Sequence, residues 1–176
     1  MKKKITIIIL ILILLTLTLT LVNISTYKAY HKNYFYMDTY IDIKLNTTKN
    51  RKEMNKIFED IDYLYKSYHE LTDRYNSYNN VINIYYLNEK LPDNEEVEID
   101  PRLSDIINLG IEYYDKTNGL LNIAAGNLTE VWKEFINTCE KLPSNEELNK
   151  NINIKDINLE NNIYKKQNNI KLDLGA

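Results

Sequence analysis

Histidine and cysteine are almost missing from this chain of 176 residues, which holds only His31, His69 and Cys139. One cysteine excludes an internal disulfide framework and a cysteine-built zinc cluster. Two histidines so far apart give no metal-ligand spacing and read as ordinary surface or boundary residues. No histidine or basic cluster flanks Cys139 to lower its pKa, so it reads as a buried, inert thiol. Glycine (four) and proline (three) are scarce, and the sequence has neither repeats nor a linker-like tract. Charge of one sign is also lacking: 22 basic residues face 25 acidic ones, for a net charge of −3 and a pI near 5.5. That balance gives no reason to look for a nucleic-acid partner. No P-loop, dinucleotide fingerprint or nucleophile–histidine–acid arrangement is present.

What is present starts with the N-terminus. Lys2, Lys3 and Lys4 precede an uncharged run from Ile5 to Val22, rich in Ile and Leu. Roughly 18 residues of helix reach about 27 Å, enough for a hydrocarbon core. The lysines would stay cytoplasmic and leave the rest of the chain outside. The expectation is a signal-anchor helix over residues 1–22. A cleaved signal peptide is the rival, although no small-residue cleavage site follows. Residues 23–33 read as a polar juxtamembrane tether, and residues 34–176 as one α+β domain.

Within that domain, Tyr34 to Leu45 alternates like a half-buried strand, with Ile41, Ile43 and Leu45 on one face. From Arg51 to Leu71 the period becomes helical, and Met54, Ile57, Ile61, Leu64, Tyr65, Tyr68 and Leu71 form the stripe. Val81 to Leu87 fits a strand or a short helix, and Leu91 to Ile99 an acidic loop. Asp100-Pro101 opens a helix that buries Leu103, Ile106, Ile107, Gly110, Ile111 and Tyr114 and ends at Asn118-Gly119. Leu128, Val131, Trp132, Phe135 and Ile136 mark the next helix, and Ser144 with Glu147 a capping box. A final hairpin is expected to turn at Gln167-Asn168-Asn169, with Ile170, Leu172 and Leu174 on its second strand.

The chain centres on Thr117 to Trp132, which holds two of the four glycines and the only tryptophan. By its residues alone it is a corner between two helices, where backbone can approach a ligand closely. Four segments add a specific likeness. They are Met37-Asp38-Thr39; Tyr75-Asn76-Ser77-Tyr78 leading to Leu87-Asn88; Thr117-Asn118-Gly119-Leu120-Leu121-Asn122 with Gly126, Leu128 and Trp132; and Leu172-Asp173-Leu174-Gly175-Ala176. In that order and spacing they resemble the FAD:protein FMN transferases, the ApbE family.

The resemblance implies an enzyme that takes FAD, uses Mg²⁺, and transfers FMN to a Thr or Ser of a partner protein, releasing AMP. The acceptor in this family is often a membrane redox-complex subunit. Carried over by residue, Met37 and Tyr78 would contact FAD. Leu120, Leu121 and Asn122 would line its pocket, and Gly175 would let backbone close on it. Asp38 and Asn122 depart from the family's Gly and Asp, and Ile82 and Ile84 stand where polar residues are common. The chain stops inside the fourth motif, so the metal ligands are expected beyond residue 176 and this chain alone is expected to be inactive. Two alternatives stay open: hydrolysis of FAD to FMN and AMP, and a non-catalytic flavin-binding or interaction domain.

Overall fold

The computed structural model describes residues 2–139 and 142–175, with backbone alone at residues 2–3 and 20–26. Ala176, named in the fourth motif, lies outside the described residues. The chain forms two compact units, residues 1–63 and 64–176.

The first unit opens with helix α1 (Lys2–Thr26). Its described side chains, from Lys4 to Leu19, are exposed on every side, with no polar face to set against a core. Among the described residues no helix is long and apolar enough to cross a membrane. The expected span to Val22 reaches past Leu19, beyond the side chains described.

Residues 28–33 are not a tether. Lys28–Tyr36 is strand β1, paired antiparallel with β2 (Thr39–Thr47), so the single strand expected from Tyr34 is a hairpin. Met37 and Asp38 form its two-residue turn, both at φ +51°. Two left-handed residues give the turn whose twist matches paired strands, although neither is the usual Gly or Asn. Tyr30 sits opposite Leu45 and Tyr34 opposite Ile41, which puts tyrosines and aliphatics on one face. That face packs on Met54, Phe58 and Ile61 of α2 (Arg51–Thr72), and the Tyr34 hydroxyl donates to the Phe58 carbonyl at 2.8 Å. Asn50 caps α2: its Oδ1 accepts from Lys52 and Glu53 N–H, while Glu53 accepts from Asn50 N–H. The buried stripe differs in detail, since Phe58 joins it and Leu64 is exposed.

The second unit takes the end of α2 and everything after it. Val81 bridges Tyr78, and Ile84 begins a short helical segment that passes into a π-helical turn, Tyr86–Lys90. The expected acidic loop contains β3 (Glu96–Glu98), which pairs with β5 (Ile163–Lys165). Strand β4 (Asn158–Glu160) covers the other edge of β5, giving the order β3-β5-β4. The closing hairpin turns at Asn161-Asn162, both at positive φ. The chain does turn at residues 167–169 as expected, with Ile170 N–H donating to the Gln167 carbonyl at 3.1 Å, but no strand follows that turn. Ile170 and Leu172 are buried as expected but belong to no strand.

Helix α3 (Pro101–Lys116) starts as its sequence indicates, with the Asp100 side chain accepting from Arg102 N–H at 2.9 Å. Helix α4 (Gly126–Thr138) follows, and α5 (Asn145–Leu148) carries the Ser144–Glu147 capping box. The expected apolar face of α4 is only partly covered: Trp132 is 39% and Ile136 67% exposed. Cys139 is exposed rather than buried, because it occupies the left-handed residue that closes α4. The core of the unit gathers Leu71, Ile84, Leu87, Leu103, Ile107, Ile123, Tyr164, Ile170 and Leu172. Helices together with sheets whose pairings are all antiparallel among the described residues make this an α+β fold.

Candidate functional site

The last described segment, residues 170–175, is held in place without a sheet. Asn88, 3% exposed, replaces a neighbouring strand: its Oδ1 accepts from Leu172 N–H at 2.8 Å and its Nδ2 donates to the Leu172 carbonyl at 2.9 Å. Both polar groups of a buried peptide are thereby satisfied by one side chain. On the other side, Gly126 N–H donates to the Lys171 carbonyl at 3.0 Å and Asp173 N–H to the Ile123 carbonyl at 2.8 Å. Gly126 permits this approach, since a Cβ there would stand 2.5 Å from the Lys171 oxygen.

Where this segment passes α3 and the start of α4, a pocket of about 560 Å³ opens. Ile106, Leu109, Gly110 and Tyr113 of α3 form one wall, and Leu121, Asn122, Ile123 and Ala125 of the corner the second. Thr129, Asp173, Leu174 and Gly175 close the third. That volume is in the range of pockets that bury a small organic ligand, and the lining has the usual character, apolar with a few fixed polar groups. Gly175 is at φ +76° with nothing within 4 Å of where a Cβ would be, so the wall is bare backbone there.

The polar groups are fixed by their neighbours. Asn122 Oδ1 accepts from Ala124 N–H at 2.9 Å and its Nδ2 donates to the Ile152 carbonyl at 2.9 Å. An aspartate at this position could not make the second bond while ionised. Asp173 is the pocket's carboxylate. Burial pushes its pKa up, but Gly175 N–H, the Thr129 hydroxyl and the Arg74 guanidinium outweigh that and hold it below the usual carboxylate range.

Of the residues singled out from the sequence, Leu121, Asn122 and Gly175 come together in this pocket. Leu120 does not line it and is 92% exposed. Tyr78 is also absent from the lining. It donates to Asp73 Oδ2 at 2.7 Å and lies 3.2 Å from His69 Nε2. Burial, then that hydrogen bond, pushes its pKa up to about 12. Met37 sits in the β1–β2 turn of the first unit. Sequence reasoning missed Arg74, Glu130 and Lys171, and gave Asn88 only as the end of a motif without a role. The motif that holds Asp173 was visible, but nothing local joined it to Arg74.

The sequence of residues 37–176 matches the model of the ApbE family. This chain belongs to the ApbE family. Solved structures agree at the level of fold. The ApbE protein of Thermotoga maritima superposes with a TM-score of 0.64 at 22% identity, covering 84% of this chain and 48% of that one. A mutant of the flavin transferase ApbE from Vibrio cholerae gives 0.69 at 19% identity, with coverage of 84% and 51%. The apo flavinyl transferase ApbE of Pseudomonas stutzeri gives 0.69 at 14% identity, with coverage of 84% and 50%. The chain thus spans about half the length of these solved relatives. Comparison with curated proteins gives no match.

Proposed function

We propose that the second unit is the flavin-holding part of an ApbE-type FAD:protein FMN transferase. The observation that carries this is the pocket itself, in which Leu121, Asn122 and Gly175 stand together beside an apolar wall of α3. An apolar cleft of this volume suits a planar ring system such as isoalloxazine. The rigid amide of Asn122 and the bare backbone at Gly175 supply orientation and close approach. In the reaction, a Thr or Ser hydroxyl oxygen of the acceptor attacks the flavin-side phosphorus, the bond to the AMP oxygen breaks, AMP leaves with that electron pair, and the hydroxyl proton goes to solvent. Phosphoryl transfer of this kind depends on positioning and charge neutralisation more than on a protein nucleophile.

Magnesium is the family's counter-charge, and the described residues do not fit it. Among them no three His, Cys, Asp or Glu side chains are grouped to hold a metal. Asp173 is already engaged by Arg74, Thr129 and Gly175. On this proposal the chain by itself holds FAD without transferring its FMN. Incubation with FAD, Mg²⁺ and a Thr-bearing acceptor protein should give no flavinylated product, and robust labelling would refute that.

We further propose that α1 anchors the protein in the cytoplasmic membrane with the remainder outside, facing an acceptor such as a membrane redox subunit. The Lys2–Lys4 cluster and the uncharged run from Ile5 to Val22 support this. Protease protection in right-side-out vesicles tests it: residues after α1 should be digested from outside, and their protection would overturn the orientation.

A further inference from the structure

Arg74 does not line the pocket, yet its side chain is only 3% exposed and it ends on the segment that forms the pocket's third wall. A buried guanidinium is tolerated only where acceptors take up its donors. Here Nη1 donates to Asp173 Oδ2, and Nη2 reaches Glu130 Oε1 at 3.2 Å and the Gly126 carbonyl at 3.4 Å. One side chain thus spans the first turns of α4 and the terminal segment. Lys171 repeats the connection at the surface, bonding Glu130 at 2.9 Å and Glu89 at 2.8 Å.

We infer that Arg74 is a positioning residue for the flavin pocket: by clamping the Asp173 carboxylate to α4, it sets where Leu174 and Gly175 stand on the pocket wall. The inference rests on reading that pocket as the flavin site. Asp173 Oδ1 accepts from Gly175 N–H at 3.0 Å, so the arginine's grip passes through the carboxylate to the bare backbone. The groups around Asp173 are Arg74 after α2, Thr129 and Glu130 on α4, Lys171 and Gly175 on its own segment, and Glu89 through Lys171. Without the guanidinium, burial is opposed by the Gly175 N–H and the Thr129 hydroxyl, both neutral donors. The carboxyl then takes up a proton at a higher pH and weakens as an acceptor for Gly175.

The test uses the full-length chain in mild detergent as wild type, Arg74→Met and Arg74→Lys. FAD affinity is read by fluorescence anisotropy at about pH 5 and about pH 8, and hydrogen exchange of amides 171–175 is read without FAD. Wild type should show one affinity at both pH values and protected amides. Arg74→Met should bind about twofold more weakly at the lower pH than at the higher, as for a carboxyl about half protonated at the lower pH. Its amides 171–175 should exchange faster, and Arg74→Lys should restore the flat profile. Unchanged affinity and protection in Arg74→Met would overturn the clamp. So would a loss equal at both pH values and shared by Arg74→Lys, which marks packing alone. If wild type fails to bind FAD while Arg74→Met still loses protection, the clamp stands and the flavin reading falls.

Discussion

Replacing Gly126 with alanine probes the closest contact in the site. The added Cβ would stand 2.5 Å from the Lys171 carbonyl oxygen, 2.7 Å from its carbon and 2.8 Å from its Cβ. Ordinary contact begins at 3.4 Å, so the shortfall to the oxygen is 3.4 − 2.5 = 0.9 Å. Two of these atoms are main chain and cannot rotate away, so residues 171–175 must move as a unit. Overpacking of this kind costs about 1–3 kcal/mol. The Gly126 N–H to Lys171 bond at 3.0 Å is stretched or lost, adding about 1 kcal/mol. Alanine's better helical propensity returns less than about 1 kcal/mol at this first helical position. The net expectation is a destabilisation of about 2 kcal/mol, or a Tm lower by about 10 °C for a unit of this size. The same displacement moves Asp173 and Gly175, so FAD affinity should fall as well. Thermal unfolding by circular dichroism and FAD titration read the two effects. A Tm within about 2 °C of wild type, with unchanged affinity, would refute the packing argument.

Other perturbations test separate parts of the structure. Asn88→Ala leaves both polar groups of buried Leu172 unpaired and should cost about 2–4 kcal/mol in urea unfolding. Asn122→Asp places an ionised oxygen against the Ile152 carbonyl, a loss of about 1–2 kcal/mol. That aspartate's pKa would be raised in the folded state, so the deficit should shrink on acidification as the carboxyl gains a proton to donate, which stability measured against pH will show. Asp73 and Asp173 have folded pKa values below the ordinary range. Their contribution is therefore present above about pH 4 and lost as pH falls through the folded values, so wild type should melt earlier in acid and Asp173→Asn should show less of that slope. Tyr34→Phe removes the 2.8 Å bond to Phe58 and should cost the first unit about 1 kcal/mol in urea unfolding.

Legibility in the sequence followed locality. Helix α3 could be read whole because Asp100, Pro101 and the spacing from Leu103 to Tyr114 all act within a few residues. The same holds for α2 and for the Ser144–Glu147 box. Strand β1 was hidden because its buried positions are tyrosines among lysines, and because Met37-Asp38 makes a turn that usually calls for Gly or Asn. The terminal segment misled differently. Ile170 and Leu172 do alternate inward, but the partner of their backbone is the side chain of Asn88, far away in the chain. No period or propensity encodes that pairing. The pocket corner was visible through its glycines and its family likeness, whereas the Arg74–Asp173 clamp joins residues whose meeting only the fold decides. Asn122 shows the two levels together: its departure from the family's aspartate was plain, and its reason, the Ile152 carbonyl, was not.

The proposed flavin site is the α3–α4 corner with residues 173–175. Its most direct measurement is calorimetric titration of FAD into the full-length chain, repeated with Gly175→Val, which puts a β-branched side chain at φ +76° into the open face of the pocket. Saturable one-to-one binding by wild type, lost or weakened more than about tenfold in Gly175→Val, is the expected result. Absence of binding by wild type, or equal binding by both proteins, would contradict it.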